Sequence, residues 1–433
     1  MTNPQELQGF GEETANYTFK DRLDWLFHVN SPSEIFKAQP TYFLSEWSFV
    51  IIASLALIHA FIVGGRWKYV WLGTYMHGVT TELVSFFMPD IDNYWHSQTT
   101  VIMLGRRLPF HIPLIYPSFM YHAAYMVAHA RLPRWAEPFA AGLVEVLIDL
   151  PYDIMAVKFV HWTWHDTDPN IYDRHYWVPW NSYYFHLTFG TAFNFALHFW
   201  RRKITGHDDK DQAASPGKEI LCAMLAGLCG MPGGVLQFLF LYHPLHDTLG
   251  IHTENCVFII VVVYFLIVWT ADRTPPHNAR SQKASSGHFH WSVIIVVFNM
   301  VLHYGLYLGM ALFGSPENEV SIGLHERTGP CDEKTKVYTA IGGELERRTY
   351  LCTNDYDEGY FDFHCLPEGK PASNGMEWYT ICGTPFPNRA EYISAIMLVC
   401  TVATFVYYNL LVRSSRTLYH HKTAPKRNFK KLN

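Results

Sequence analysis

Apolar residues along the chain are gathered into nine long segments, separated by short polar stretches and by one long polar loop. A helix needs about 20 mostly apolar residues to cross the hydrocarbon core of a bilayer. The pattern therefore predicts an all-α fold, a polytopic transmembrane helical bundle of about nine spans. The predicted spans cover residues 43–63, 69–88, 109–130, 136–160, 179–200, 217–242, 254–271, 289–313 and 391–412.

These spans divide the chain into five regions, and its composition agrees with a membrane protein. Charged residues make up 16% of the chain, against about 25% in ordinary soluble domains. The regions are an N-terminal segment, a core of about eight spans, a cysteine-rich loop, a last span and a basic tail. They cover residues 1–42, 43–313, 314–390, 391–412 and 413–433.

Lys and Arg in the short connections predict which way the chain faces, because positive residues stay in the cytosol. With nine spans, the basic connections and the tail fall on one side, which makes the C-terminus cytosolic and the N-terminus extracytoplasmic. Arg106 and Arg107 are the exception. The basic connections contain Arg66 and Lys68, Arg131 and Arg134, Arg201, Arg202 and Lys203, and Arg273, Arg280 and Lys283.

The N-terminal segment carries a glycosylation sequon at Asn16. A sequon on the outside predicts a membrane of the secretory pathway, either the endoplasmic reticulum or the plasma membrane. Basic residues occur in small clusters and form no broad patch, so no nucleic-acid partner is expected. The expected partners are the lipid bilayer and a lipophilic small molecule, while the sequence leaves the oligomeric state open.

Four of the eight cysteines lie in the loop of residues 314–390. Because that loop is predicted to be extracytoplasmic, an oxidising environment favours two disulfides, with three possible pairings. Zinc binding is the weaker alternative, since the loop has no C-x2-C pair. The four residues are Cys331, Cys352, Cys365 and Cys382.

Ionisable residues inside the spans are costly in lipid and are functional by default. Glu82 lies in the second span, and Glu145, Asp149 and Asp153 form one stripe of the fourth at i, i+4 and i+8. We expect these groups to share a cavity, with Asp153, Asp149 and Glu82 as catalytic acids. The alternative is that they hydrogen-bond between helices as packing contacts. Polar residues of other spans that we expect to bind substrate are Asn181, His186, Gln237 and His303.

The predicted outside loops carry a second set of polar residues. His161 and His165 have the i, i+4 spacing with which one helical face binds a metal. His96, His243 and His246 lie in the neighbouring loops. Imidazole and carboxylate together suit a divalent metal such as Zn or Fe. The alternative is interfacial, because Trp, Tyr and His are common at membrane boundaries.

Residues 70–200 contain short motifs that resemble the membrane proteins of carotenoid biosynthesis, which include the bacterioruberin-type carotenoid hydratases. The matching features are an acid in a span at Asp153, a Trp-x-Trp pair at Trp162 and Trp164, and Val178-Pro179 before Asn181. Glu82 matches a glutamate of an early span. The chain departs from the family pattern at Ile154, where the family has proline, and in the cysteine-rich loop, which has no counterpart.

The resemblance implies a helical membrane enzyme that adds water across a carbon–carbon double bond of a long isoprenoid or polyene. Asp153 or Asp149 would donate the proton, Glu82 would stabilise the cation or orient the water, and Trp162 and Trp164 would offer π faces. Such chemistry requires no cofactor. The other interpretations are a proton-coupled transporter, in which intramembrane acids form a proton relay, and a receptor or structural protein without catalysis.

Overall fold

The computed structural model describes most of the chain. The basic residues Arg131, Arg280 and Lys283 and the predicted tail beyond residue 413 lie outside the described residues. The described ranges are 14–88, 94–130, 132–165, 167, 172–206, 213–273, 291–338, 342–371 and 373–413.

Nine helical segments of the described chain lie at the nine predicted positions. Three of them are composite: α3 runs in three consecutive pieces, α6 continues into two π-helical turns and α9 into one. The segments are α1 Pro40–Val63, α2 Trp67–Phe87, α3 Ile112–Tyr116, Pro117–Tyr121 and His122–Ala128, α4 Glu137–Lys158, α5 Trp180–Thr205, α6 Pro216–Gln237 with Phe238–Tyr242 and Pro244–Thr248, α7 Thr253–Arg273, α8 Val293–Phe313 and α9 Arg389–Tyr408 with Asn409–Arg413.

Five helices within the described ranges are long and apolar enough to cross a membrane, namely α1, α6, α7, α8 and α9. The segments α2, α3, α4 and α5 carry more polar side chains. Most residues of α4 and α5 are buried in the bundle, whereas the apolar windows of α7 and α9 are only 28% and 22% buried. Polar helices thus lie inside and apolar helices outside, as the cost of polar groups in lipid requires.

Helix α4 continues through Pro151, which lies between the two aspartates of the acidic stripe. Proline has no N–H to donate and its ring crowds the preceding turn, so carbonyl groups there need other donors. The Tyr304 hydroxyl of α8 donates to the Leu147 carbonyl at 2.7 Å, and His303 Nε2 bonds the Ile148 carbonyl at 2.7 Å. Side chains of helix α8 therefore form hydrogen bonds with the α4 carbonyl groups next to the proline.

Glycines bring α4 and α5 into backbone contact. A Cβ atom on Gly142 would lie 2.3 Å from the Leu187 carbonyl oxygen, and one on Gly190 would overlap the Glu145 carboxylate. Small residues of this kind permit close helix packing in membranes. The Gly230–Gly234 stretch of α6 also packs closely, because a Cβ on Gly234 would lie 2.1 Å from the Phe189 ring.

The end of the bundle where the basic connections lie is closed by buried ion pairs. Arg201 Nε of α5 bonds Glu219 of α6 at 3.1 Å. Glu137, at the start of α4, lies 4.0 Å from Arg66 and 3.4 Å from His198. These contacts bring the connections before α2, α4 and α6 to the same end of the bundle.

The opposite end is covered by a mixed structure, called the cap below, which is formed by the described residues within 14–39, 94–111, 161–179 and 314–388. Its strands make the all-α prediction wrong for this part of the chain. The strands are β1 Phe27–Val29, β2 Tyr94–His96, β3 Val101–Met103, β4 Leu108–Pro109, β5 Trp162–Trp164, β6 Arg174–His175, β7 Val178–Pro179, β8 Val320–Leu324, β9 Lys334–Tyr338, β10 Glu344–Arg348, β11 Phe361–Asp362 and β12 Trp378–Gly383.

Antiparallel pairs organise the cap. Strand β12 is completely buried and lies between β8 and β11, while β9 and β10 form a separate hairpin. The other pairs are β2 with β5, β6 with β7, and β3 with both β1 and β4. Short helices Arg22–Leu26, Pro32–Ala38, Pro316–Asn318 and Pro367–Gly369 connect them. Short strands and turns contain no run of 20 apolar residues. The hydrophobic pattern that predicts the spans therefore does not predict these strands.

The four cysteines of the cap form two disulfides, as predicted, and the structure decides between the three pairings. Cys331 pairs with Cys352, which encloses the β9–β10 hairpin, and Cys365 pairs with Cys382 of β12. The other cysteines are free and lie in the helices. One disulfide therefore closes the hairpin, and the other joins the central strand β12 to the segment after β11.

The N-terminal segment packs on the cap, at the end of the bundle that contains the disulfides. Thr14 bridges to Trp378, whose ring lies 4.6 Å from that of Tyr17. Arg106, one of the two exceptions to the charge rule, stacks on Tyr17 and lies 3.3 Å from Asp24. Its charge is thus neutralised within the cap. Asn16 is exposed.

Candidate functional site

A cavity of about 600 Å³ lies between the helices and the cap. Its walls come from the capped ends of α2, α4, α5 and α6, the beginning of α3, strands β2 and β5, and the β9–β10 hairpin. Many of the residues predicted to carry function line this one space. These are Glu82, His96, Asp153, Trp162, Trp164, Asn181, His186 and His243.

The acidic stripe of α4 meets one histidine of α5. His186 Nδ1 lies 3.5 Å from Glu145, and its Nε2 lies 3.3 Å from Asp149. Asp149 and Asp153 each have a carboxylate oxygen within 4.8 Å of one on the other, and Asp153 accepts a 2.7 Å hydrogen bond from Ser182. Helical spacing places the three acids on one face, and the glycine contacts of α4 and α5 bring His186 against them.

Glu82 of α2 forms a second polar position in the cavity wall. Its carboxylate accepts hydrogen bonds from the hydroxyls of Tyr116 at 2.7 Å and Tyr94 at 3.2 Å. Both phenols belong to other segments, α3 and β2. Three separate parts of the chain therefore hold this carboxylate at the cavity.

The Trp-x-Trp pair reaches the cavity because it lies on a strand. In the β2–β5 pair, Trp162 is opposite His96 and Trp164 is opposite Tyr94. Alternate residues of a strand face the same side, so these four rings share one face. Burial lowers the pKa of His96 to about 3, which keeps the imidazole neutral at physiological pH.

Two residues predicted to bind substrate are not part of the cavity wall. His303 bonds the Ile148 carbonyl, as described above. Gln237 donates to the Thr188 carbonyl at 3.2 Å and accepts from the Tyr264 hydroxyl. Both side chains connect helices, which corresponds to the packing alternative of the sequence analysis.

The predicted metal histidines are held apart. The interpretation of His161 and His165 as one helical face is wrong, because the residues between them form the extended strand β5. His161 bonds Thr41 at 2.9 Å and stacks on Tyr42, and burial lowers its pKa to about 3. His165 lies 3.4 Å from Glu358.

His243 and His246 lie on the π-helical extension of α6 and share one acceptor. Their Nδ1 atoms bond the two oxygens of Asp247 at 2.7 and 2.8 Å. His243 lines the cavity, as does His96 on the facing strand. Two of the five predicted metal histidines, His96 and His243, therefore line the same cavity. The described contacts do not join all five.

A different group has metal-binding geometry. The ligand atoms of Asp149, Asp153 and His186 all lie within 4.8 Å of one another. Two carboxylates and one imidazole are a donor set that suits Zn, Fe or Mn. The sequence analysis selected these three residues, but as acids and a substrate ligand.

Several residues of the site escaped the sequence analysis. Tyr116 is one of several tyrosines in its span, and Ser182 follows the selected Asn181 without a distinguishing feature. The β9–β10 hairpin begins about 90 residues after His243, the last of the other cavity residues. No spacing along the chain predicts its position over the cavity.

Comparison with curated proteins and with solved structures gives no match. The model of one protein family, described as a domain of unknown function (DUF7802), matches residues 13–412. That range includes the bundle, the cap and every residue of the cavity. The chain belongs to the DUF7802 family.

Proposed function

We propose that the protein is a membrane enzyme that acts on a lipophilic, isoprenoid-like substrate by acid catalysis. The observation that supports this proposal is the convergence of Glu82, Asp153, His186, Trp162 and Trp164 on one cavity of about 600 Å³. Carboxyl groups, an imidazole and two indoles in a largely apolar cavity suit the formation and hydration of a carbocation.

The proposed reaction adds water to a carbon–carbon double bond. Two carboxyls within 4.8 Å of each other in a buried site do not both ionise, so the Asp149–Asp153 pair retains a proton. Asp153 donates that proton to one alkene carbon, and a water molecule attacks the other carbon. His186, adjacent to the pair, accepts the proton that the water loses and returns it to Asp149.

The remaining residues of the cavity stabilise the cation in this proposal. Glu82, held by Tyr94 and Tyr116, orients the water or offsets positive charge. Trp162 and Trp164 present aromatic faces, which attract a cation by about 0.5–2 kcal/mol each. This assignment follows the carotenoid hydratases that residues 70–200 resemble.

The reaction needs no cofactor, but a metal-dependent alternative is supported by one observation. Asp149, Asp153 and His186 could hold a divalent Zn or Fe ion, and water on such an ion would act as a nucleophile. Extensive dialysis against a chelator distinguishes the two, because only the metal-dependent reaction would lose activity.

A proton-coupled transporter and a receptor or structural protein are the competing functions. A carrier needs access from both sides of the membrane. The helical residues that line the cavity all belong to the end of the bundle next to the cap, far along each helix from the Arg66, Glu137 and Arg201 contacts. This one-sided position favours an enzyme over a carrier.

The proposed topology has nine spans, with the N-terminus and the cap outside and the C-terminus in the cytosol, in the endoplasmic reticulum or plasma membrane. Two disulfides support an oxidising location for the cap. Asn16→Gln tests the orientation in a eukaryotic host. The native chain should become smaller on glycosidase treatment and the variant should not; an unmodified native chain would contradict an outside N-terminus.

Purified protein incubated with a membrane lipid extract in heavy-oxygen water tests the reaction. We expect lipids that gain a complete labelled water molecule. Asp153→Asn should lower this rate at least about 100-fold, the usual contribution of a general acid. Asp272→Asn, at the exposed end of α7, is the control. Equal rates in the native protein and Asp153→Asn would refute the assignment.

A further inference from the structure

The β9–β10 hairpin forms the roof of the cavity with one of its two faces. Its inward face carries the opposed pairs Thr335–Arg347 and Val337–Leu345, all four of which line the cavity. The opposite face carries ion pairs, with Lys336 3.0 Å from Glu344 and Lys334 3.7 Å from Glu346, and Lys336 also lines the cavity. Alternation along a strand separates the two faces.

Arg347 is the basic residue of the inward face, and Lys336, which also lines the cavity, is paired with Glu344. The Arg347 Nε atom is buried and has no hydrogen-bond partner among the described residues. The acid that faces it is Glu326, which accepts a hydrogen bond from Thr167 at 3.0 Å. Burial raises the pKa of Glu326 from its usual value, whereas the Thr167 hydrogen bond and the Arg347 charge lower it.

The walls below the roof are apolar. Ile112 and Ile115 of α3, Phe185 and Phe189 of α5, and Val235 of α6 line this part of the cavity. Val235 is also 41% exposed. An apolar chain therefore fits this part of the cavity.

The size of the cavity limits its occupant. At roughly 30 Å³ for a water-sized group, 600 Å³ holds about twenty such groups. A single chain of up to about twenty groups fits as a whole.

We propose that the cavity binds a single-chain lipid acid, with its carboxylate at Arg347 under the hairpin and its chain between α3, α5 and α6. This inference rests on the proposed function and names the class of its substrate. A guanidinium group binds a carboxylate through two parallel hydrogen bonds. The head is then fixed at the roof, and a double bond along the chain lies at the level of the acidic stripe and the two indoles.

The test measures binding of oleic acid and oleyl alcohol to the purified full-length protein in detergent, by native mass spectrometry. These probes have nearly the same chain and differ in charge. We expect the native protein to bind oleate at least about tenfold more tightly than the alcohol. Arg347→Gln should remove the preference and Arg347→Lys should restore part of it.

Lys334→Gln is the matched control, because Lys334 lies on the opposite face of the same hairpin. It should keep the preference. Ile115→Trp, which fills the chain region, should weaken both probes equally. Equal affinity for the acid and the alcohol in the native protein would overturn the inference, and so would a preference that survives Arg347→Gln.

The outcome is separable from that of the proposed function. If oleate binds tightly but hydration does not depend on Asp153, the lipid acid stands as the ligand and the catalytic role of Asp153 fails. If hydration requires Asp153 but the protein shows no preference for the acid, the catalytic role stands and the lipid acid fails as the ligand.

Discussion

Gly142 sets the distance between α4 and α5, and Gly142→Ala tests whether that distance builds the site. The added Cβ would lie 2.3 Å from the Leu187 carbonyl oxygen and from Thr191 Oγ1. Ordinary contact begins near 3.4 Å, so the helices must separate by about 1 Å. The carbonyl belongs to the backbone of α5 and cannot turn away as a side chain would.

The separation should cost about 1–3 kcal/mol, the usual effect of an extra methyl group in a well-packed interior. It should also move His186, which lies 3.3 Å from Asp149, out of contact with the acidic stripe. Melting can be followed with a thiol-reactive dye, because Cys222 and Cys256 are free and buried. We expect a melting temperature lower by a few degrees and reduced hydration activity.

Gly309→Ala provides the matched control for the same chemical change. Gly309 is also helical, and a Cβ there meets no atom within 4 Å. Alanine is the better helix former by up to about 1 kcal/mol, so this variant should melt at or slightly above the native temperature. If Gly142→Ala melted as high as Gly309→Ala, the close contact of α4 and α5 would be refuted.

Three further predictions concern the cap and the proline of α4. Burial raises the pKa of Glu319 to about 8 from 4.5. The folded state therefore retains the Glu319 proton, and stability should fall as pH rises from about 4.5 through 8. Glu319→Gln should flatten this pH dependence of the melting temperature. Cys331→Ser opens the disulfide around the hairpin, a loop of 21 residues, and should lower cap stability by about 3 kcal/mol, seen as faster proteolysis of the hairpin. Tyr304→Phe removes the donor to the Leu147 carbonyl and should cost about 1–3 kcal/mol in unfolding titrations; an unchanged midpoint would mean that another group satisfies this carbonyl.

The sequence by itself determined the helical bundle and the residues of its acidic stripe. A run of about 20 apolar residues predicts a span directly, because each segment must match the hydrocarbon thickness by its own length and composition. Helical spacing then places Glu145, Asp149 and Asp153 on one face. The outside location predicted for the cysteine loop likewise led to two disulfides, although their pairing stayed open.

Only the tertiary structure decided which polar residues meet. His186 and His303 are both histidines in predicted spans. His186 contacts the acidic stripe, whereas His303 forms a hydrogen bond with a carbonyl group of α4. The spacing of His161 and His165 is compatible with one helical face, but the residues between them form a strand, which separates the two side chains. The hairpin with Arg347 reaches the cavity through contacts between parts of the chain far apart in sequence. Such contacts depend on the packing of whole elements, which no local pattern of residues contains.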